Sequence, residues 1–342
     1  MSSRTKSFLL TAALVGTAAA LPSPPVSEEE ILRGGLDAKS NGGFAYEKIL
    51  PAQAGFQWDD AGGYCGSWAT QRAALTKGAW ISQQQVRDHT SPGGGHDNEI
   101  LSTNIVEAYN NLKLSFEAFD YENTPRPQQK AYAGWLKQQL AAGHSVAWMI
   151  MWNGQQYPIY GLKAPAGMYG HVEPVIGIQS NHPLNDTTVY DDDTVVHLTD
   201  AGTSTVHRKL STLGGKLGRG NGAQCGWYQY CMGDWAFGWA VTGFADGAKG
   251  AVPASLQVQP FLREPDLRSG QKPEQLTGTL TASGLTSGSS YDVYRWGSSA
   301  TAFTYNATFK KASFKATAET YVYEDPDAFS SGSATYYRVV AQ

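Results

Sequence analysis

The sequence is short of charge: Asp, Glu, Lys and Arg make up 16% of its 342 residues, where about a quarter is usual. The net charge is −4 and the basic residues are scattered. No Lys/Arg run offers a nucleic-acid surface, so no nucleic-acid partner is expected. Beyond the N-terminus no apolar run is long enough for a transmembrane helix. No HExxH, P-loop or dinucleotide fingerprint occurs. Asp191-Asp192-Asp193 lacks the spacing and glycine of a calcium loop and reads as a solvated hairpin tip. Neither a metal nor a cofactor is therefore expected. Cysteine is scarce and odd in number, with only Cys65, Cys225 and Cys231.

Aromatic residues, in contrast, are plentiful at 12%, which excludes a disordered composition. The length suits two domains with sizeable cores. Residues 1–20 read as a secretory signal peptide. Arg4 and Lys6 precede a short apolar run from Phe8 to Val15, and Ala18-Ala19-Ala20 meets the small-residue cleavage rule. A secreted, extracellular protein with no membrane attachment after cleavage is expected. Residues 21–50 are a linker or short pro-segment. In an oxidising compartment Cys225 and Cys231, six positions apart around Gly226, close most easily into a disulfide, which leaves Cys65 the odd thiol. The sequons at Asn185 and Asn306 are candidate glycosylation sites.

From 51 to 248 helical patterns come first: 65–77, a short helix capped by Ser82, 98–112 and 127–142. Strand patterns follow at 145–152, 171–178, 194–200 and 235–244. That order predicts an α+β fold, a helical half packed on a mostly antiparallel sheet. From 249 to 342 short strands alternate with turns, which predicts an all-β sandwich as an accessory domain. The stretch SGLTSGSSYDVYRW resembles a fibronectin-type-III-like hairpin.

The chemistry centres on GGYCGSWATQ, residues 62–71. A thiolate at a helix N-terminus is favoured by the dipole and the free N–H groups, and Gly62, Gly63 and Gly66 permit a sharp, close turn. Cys65 is the candidate nucleophile, and a cysteine nucleophile needs a base. His171 follows Gly170 at the opening of an apolar strand and ranks ahead of His144. The other histidines, His197 among them, read as surface or loop residues. Asp200, at a strand end, is the candidate to orient the imidazole. Gln57, with Gln53 behind it, is the candidate oxyanion donor beside the Cys65 backbone N–H. Glu173 either tunes the base or is solvated at the sheet edge.

YCGSWATQRAALTKGAWISQQQV, GHVEPVIGI and VVHLTDAG together resemble the peptidase C39-like family of papain-like cysteine peptidases over roughly 50–245. The resemblance implies a Cys-His-Asp triad of Cys65, His171 and Asp200, with Gln57 at the oxyanion, that cleaves peptide or isopeptide bonds in a peptide or protein substrate. Ser67-Trp68 follows Cys65-Gly66 here. An alignment to the papain-like Cys-Gly-Ser-Cys-Trp pattern matches Cys65 to the structural cysteine instead and implies a catalytically inactive binding protein. A transpeptidase or acyltransferase using the same triad is the other alternative.

Overall fold

The computed structural model describes residues 43–57, 64–90, 105–153, 168–198, 201–202, 205–211, 230–231, 237–247, 250–259, 277–329 and 334–342. Helix α1 (Cys65–Leu75) is buried along its whole length. Its small residues let it lie closely against neighbours on several sides: Ala69 faces one cluster, Trp68 a second, Ala73 and Ala74 a third. The helix is followed by Gly78 at φ +89, a left-handed conformation that glycine adopts without strain. Ser82 caps α2 (Gln83–Asp88), its side chain accepting from the Gln85 N–H. The remaining helices are α3 (Ile105–Asn111) and α4 (Gln129–Ala141). Of the helix expected over 98–112, residues 98–104 lie outside the described ones.

The strands in the first two-thirds of the chain are β1 (Tyr46–Ile49), β2 (Gly55–Phe56), β3 (Ala79–Ile81), β4 (Leu114–Ala118), β5 (Ser145–Asn153), β6 (Met168–Ser180), β7 (Thr194–Leu198), β8 (Ala201–Gly202), β9 (Thr205–Lys209), β10 (Tyr230–Cys231) and β11 (Gly238–Phe244). The large sheet runs β4–β11–β5–β6–β7–β9, with β1 on β6 and β10 on β5. Its pairings are all antiparallel. Its two faces are covered by different helices. Tyr132, Leu136 and Leu140 of α4 pack on Val146, Trp148, Ile150 and Val175. On the other face, Cys65 and Ala69 of α1 pack with Ala147 and Val172, and Trp68 packs with Ile176, Val196 and Leu198. The architecture is mostly antiparallel sheet with few helices. The expected helical half is instead a pair of helices on opposite faces, because β5 and β6 are apolar on both sides.

The C-terminal strands are β12 (Ala254–Gln259), β13 (Thr277–Ser283), β14 (Ser290–Trp296), β15 (Lys310–Lys315), β16 (Thr320–Asp325) and β17 (Ala334–Ala341). They form two sheets, β12–β13–β16 and β15–β14–β17–β3. Leu256 and Leu280 from one sheet and Val293 and Val339 from the other share a core with Trp80. Strand β3 thus leaves α1 directly and joins this sheet through Ile81↔Ala334. A second tie is Gln53, whose side chain donates to the Val258 carbonyl at 2.7 Å and accepts from its N–H at 2.9 Å. Among the described residues no helix is long and apolar enough to cross a membrane.

Candidate active site

Cys65 is the first residue of α1, 4% exposed, and is a free cysteine. Tyr64 precedes it with its ring 3.6 Å below the Arg87 guanidinium, a cation–π contact that ties α2 to the start of α1. Trp68 is a packing residue, fully buried against β6 and β7. Gly62 and Gly63 lie outside the described residues, as does Cys225, and with it the expected disulfide. Asn185 and Asn306 are exposed.

His171 sits within β6 rather than at its opening, since that strand begins at Met168. Its Nε2 lies 3.5 Å from Glu173 Oε1. Glu173 is not solvated at the sheet edge; it is fully buried, because residues two apart share a strand face and this face is covered by α4. Its other oxygen, Oε2, lies 2.8 Å from His197 Nδ1. His197 is likewise fully buried and not a surface residue. Arg208 Nε donates to His197 Nε2 at 3.0 Å. With Nε2 accepting, the neutral imidazole carries its proton on Nδ1, which lies 3.4 Å from the Leu198 carbonyl and 2.8 Å from Glu173 Oε2. Burial lowers the pKa of His197, against the pull of Glu173, so the ring is neutral at pH 7. Burial favours the neutral form of Glu173, but its contacts with His197 and His171 outweigh this and hold the carboxyl well below its usual range. Burial lowers Arg208 to about 9, which leaves it charged at pH 7. The chain His171–Glu173–His197–Arg208 therefore spans β6, β7 and β9.

Pairing registers assign the faces. His171 lies opposite Ile150, Glu173 opposite Trp148 and Val175 opposite His197, while Val172 lies opposite Met149. Directly paired residues point to one face, and successive residues alternate. His171 is therefore carried on the α4 face and Val172 on the α1 face, where Cys65 packs. The structure brings Cys65 to the residue beside His171 but not to the same side of the sheet. The β7 ladder begins only at Val175. Beside His171, β6 is paired on its β5 side alone among the described residues.

Gln57 follows β2, and β2 pairs with β8 through Phe56↔Ala201. The Gln57 Oε1 is buried without a hydrogen-bond partner among the described residues. Asp200 lies outside those residues. The approach to Gln57 is set from α1: Arg72 Nη1 donates to the carbonyls of Gln53 and Ala54, each at 3.2 Å. A Cβ on Gly55 would stand 2.8 Å from that guanidinium, so a side chain there would displace Arg72. Gln53 is not an oxyanion donor, since both ends of its amide are spent on Val258. His144 is equally committed, with Nδ1 2.8 Å from Gln139 Oε1. Asp193 is no solvated tip; it is buried and paired with Lys137 at 2.8 Å. Sequence reasoning missed Glu173, His197 and Arg208 as a unit. The available signal was one charged or imidazole residue per strand in otherwise apolar runs, HVEPV, VVHL and TVHRK.

No family model matches the chain, and no curated protein matches it. Among solved structures the chain is similar to a clostridial cysteine protease, Cwp84, after propeptide cleavage. The identity is 10% and the TM-score 0.31, over 86% of this chain and 82% of that one.

Proposed function

We propose that this protein is a secreted cysteine hydrolase of the C39-like, papain-related type that cleaves peptide or isopeptide bonds. One observation carries the reading: a free cysteine opens a buried helix and packs against Val172, the chain neighbour of a histidine that faces a buried carboxylate. In this reading His171 takes the Cys65 proton. The thiolate attacks the substrate carbonyl, and the backbone N–H of Cys65 with the Gln57 amide stabilises the oxyanion. Imidazolium then protonates the leaving amine, and water, deprotonated by His171, hydrolyses the thioester. Asp200 is the expected orienting acid, supported only by its place in the sequence.

A second reading is favoured by the opposed faces of His171 and Val172: a catalytically inactive binding protein in which Cys65 is a core residue. Iodoacetamide labelling of the folded, reduced protein, read by mass spectrometry at Cys65, separates the two. Rapid labelling that depends on His171 supports the hydrolase; no labelling while a control thiol reacts supports the binding protein.

A further inference from the structure

We propose that a cleft at the seam between β11 and the C-terminal sheet is a binding site for a neutral sugar, separate from Cys65 and independent of the hydrolase reading. The two parts of the chain share a core at this seam: Val241 and Phe244 of β11 pack with Trp296 of β14 and Tyr336 of β17. Beside that core lies a cleft of about 270 Å³, lined by Asp246 just past β11, Asp292 and Tyr294 of β14, Tyr305 of the β14–β15 connection and Val340 of β17. Asp292 lies opposite Val340, Tyr294 opposite Arg338 and Trp296 opposite Tyr336, so all six share the sheet face that meets β11. Ligand clefts form preferentially at such seams.

The chemistry of the lining selects the ligand. Each carboxylate is already matched by a cation. Asp246 accepts from Arg338 Nε and, at 3.3 Å, from the Tyr305 hydroxyl. Asp292 lies 3.2 Å from Lys310 Nζ and accepts from Ser313 and Gln342 at 2.6 and 2.7 Å. The four charges cancel in pairs, so these groups offer no unbalanced charge to an ionic ligand. Burial and the Asp246 charge push the Tyr305 phenol up to about 12, so it is neutral as well. What remains is two partly buried tyrosine rings, edge to face at 5.1 Å, bordered by hydrogen-bonding groups already held in place. An aromatic face takes apolar C–H surface, and polar groups at its margin take hydroxyls. A sugar ring offers both and carries no charge. The volume lies just under the ~300–1,000 Å³ common for ligand clefts, which suits one terminal sugar residue rather than a long chain.

The test uses the full-length protein. The probes are methyl glycosides of glucose, galactose, mannose and N-acetylglucosamine, with glucuronic acid and glucosamine as charged controls. Binding is read by saturation-transfer NMR at millimolar concentration, the range expected for a single-ring ligand. At least one neutral glycoside should give a saturable signal, stronger than either control. No signal from any neutral glycoside overturns the proposal, and so does a stronger signal from a charged control. Val340 is partly exposed, and Val340→Trp sets an indole in the cleft at a strand position that accepts aromatics. With an unchanged circular dichroism spectrum it should weaken binding about tenfold or more; undiminished binding in that folded variant places the sugar elsewhere and overturns the site. If Val340→Trp does not fold, Tyr305→Phe decides in its place. It keeps the ring, removes the hydroxyl and should weaken binding about fivefold; unchanged binding overturns the site.

Discussion

Cys65 packs in one apolar cluster with Val172, and the next residue back along β6, His171, faces the other side of the sheet. The proposed nucleophile thus packs against the chain neighbour of the proposed base, on the opposite face of the sheet. The pH behaviour, the packing and the reactivity of Cys65 each follow from the way that strand is held.

The buried network makes stability depend on pH. His197 is lowered from 6.5 and Glu173 from 4.5 on folding. For both groups the unfolded chain binds the proton more tightly, so stability is present above the unfolded value and lost as pH falls. Urea midpoints should be level near pH 7, decline below about 6.5 as His197 begins to resist protonation, and decline again below about 4.5. In His197→Gln the first decline should shrink to the part supplied by His144, which burial also lowers from 6.5. Breaking a buried pair costs roughly 3–5 kcal/mol, so Glu173→Ala should lower the midpoint severely at pH 7.

The two parts of the chain should unfold together. Trp80 on β3 lies in the sandwich core with an edge-to-face contact to Phe329 at 5.1 Å. Trp80→Ala should cost about 3–5 kcal/mol. A fragment of residues 249–342 lacks β3 and exposes the site where Trp80 packs. Scanning calorimetry should show one transition for the whole protein, and circular dichroism should show no folded fragment.

Gly55→Ala puts a methyl 2.8 Å from the Arg72 guanidinium. Arg72 must shift and loses its bonds to Gln53 and Ala54. The cost should be about 1–3 kcal/mol, seen as a lower Tm, whereas Gly243→Ala, where nothing lies within 4 Å, should be nearly silent.

Elements governed by local rules were legible in the sequence. Ser82 as a cap, the α1 run ended by Gly78 and the β5 and β7 patterns all follow from nearest-neighbour chemistry. What was not legible depended on long-range pairing. Glu173 and His197 look polar and exposed in isolation, and only the β6–β7 register buries them together. The same register decides which face His171 takes, because a shift of one residue reverses every side chain on a strand. That β3 belongs to the C-terminal sheet is equally a matter of pairing across more than two hundred residues.

The central claim is that Cys65 is a nucleophile activated by His171, and its most direct test is the rate of iodoacetamide alkylation of Cys65 near pH 6.5. Samples of wild type and His171→Ala are first shown to share one circular dichroism spectrum. The account predicts that Cys65 in the wild type reacts about tenfold or more faster than in His171→Ala, since only the thiolate is nucleophilic. Equal rates in the two folded proteins, or no reaction in either, would contradict it and leave Cys65 as part of the core between α1 and β6.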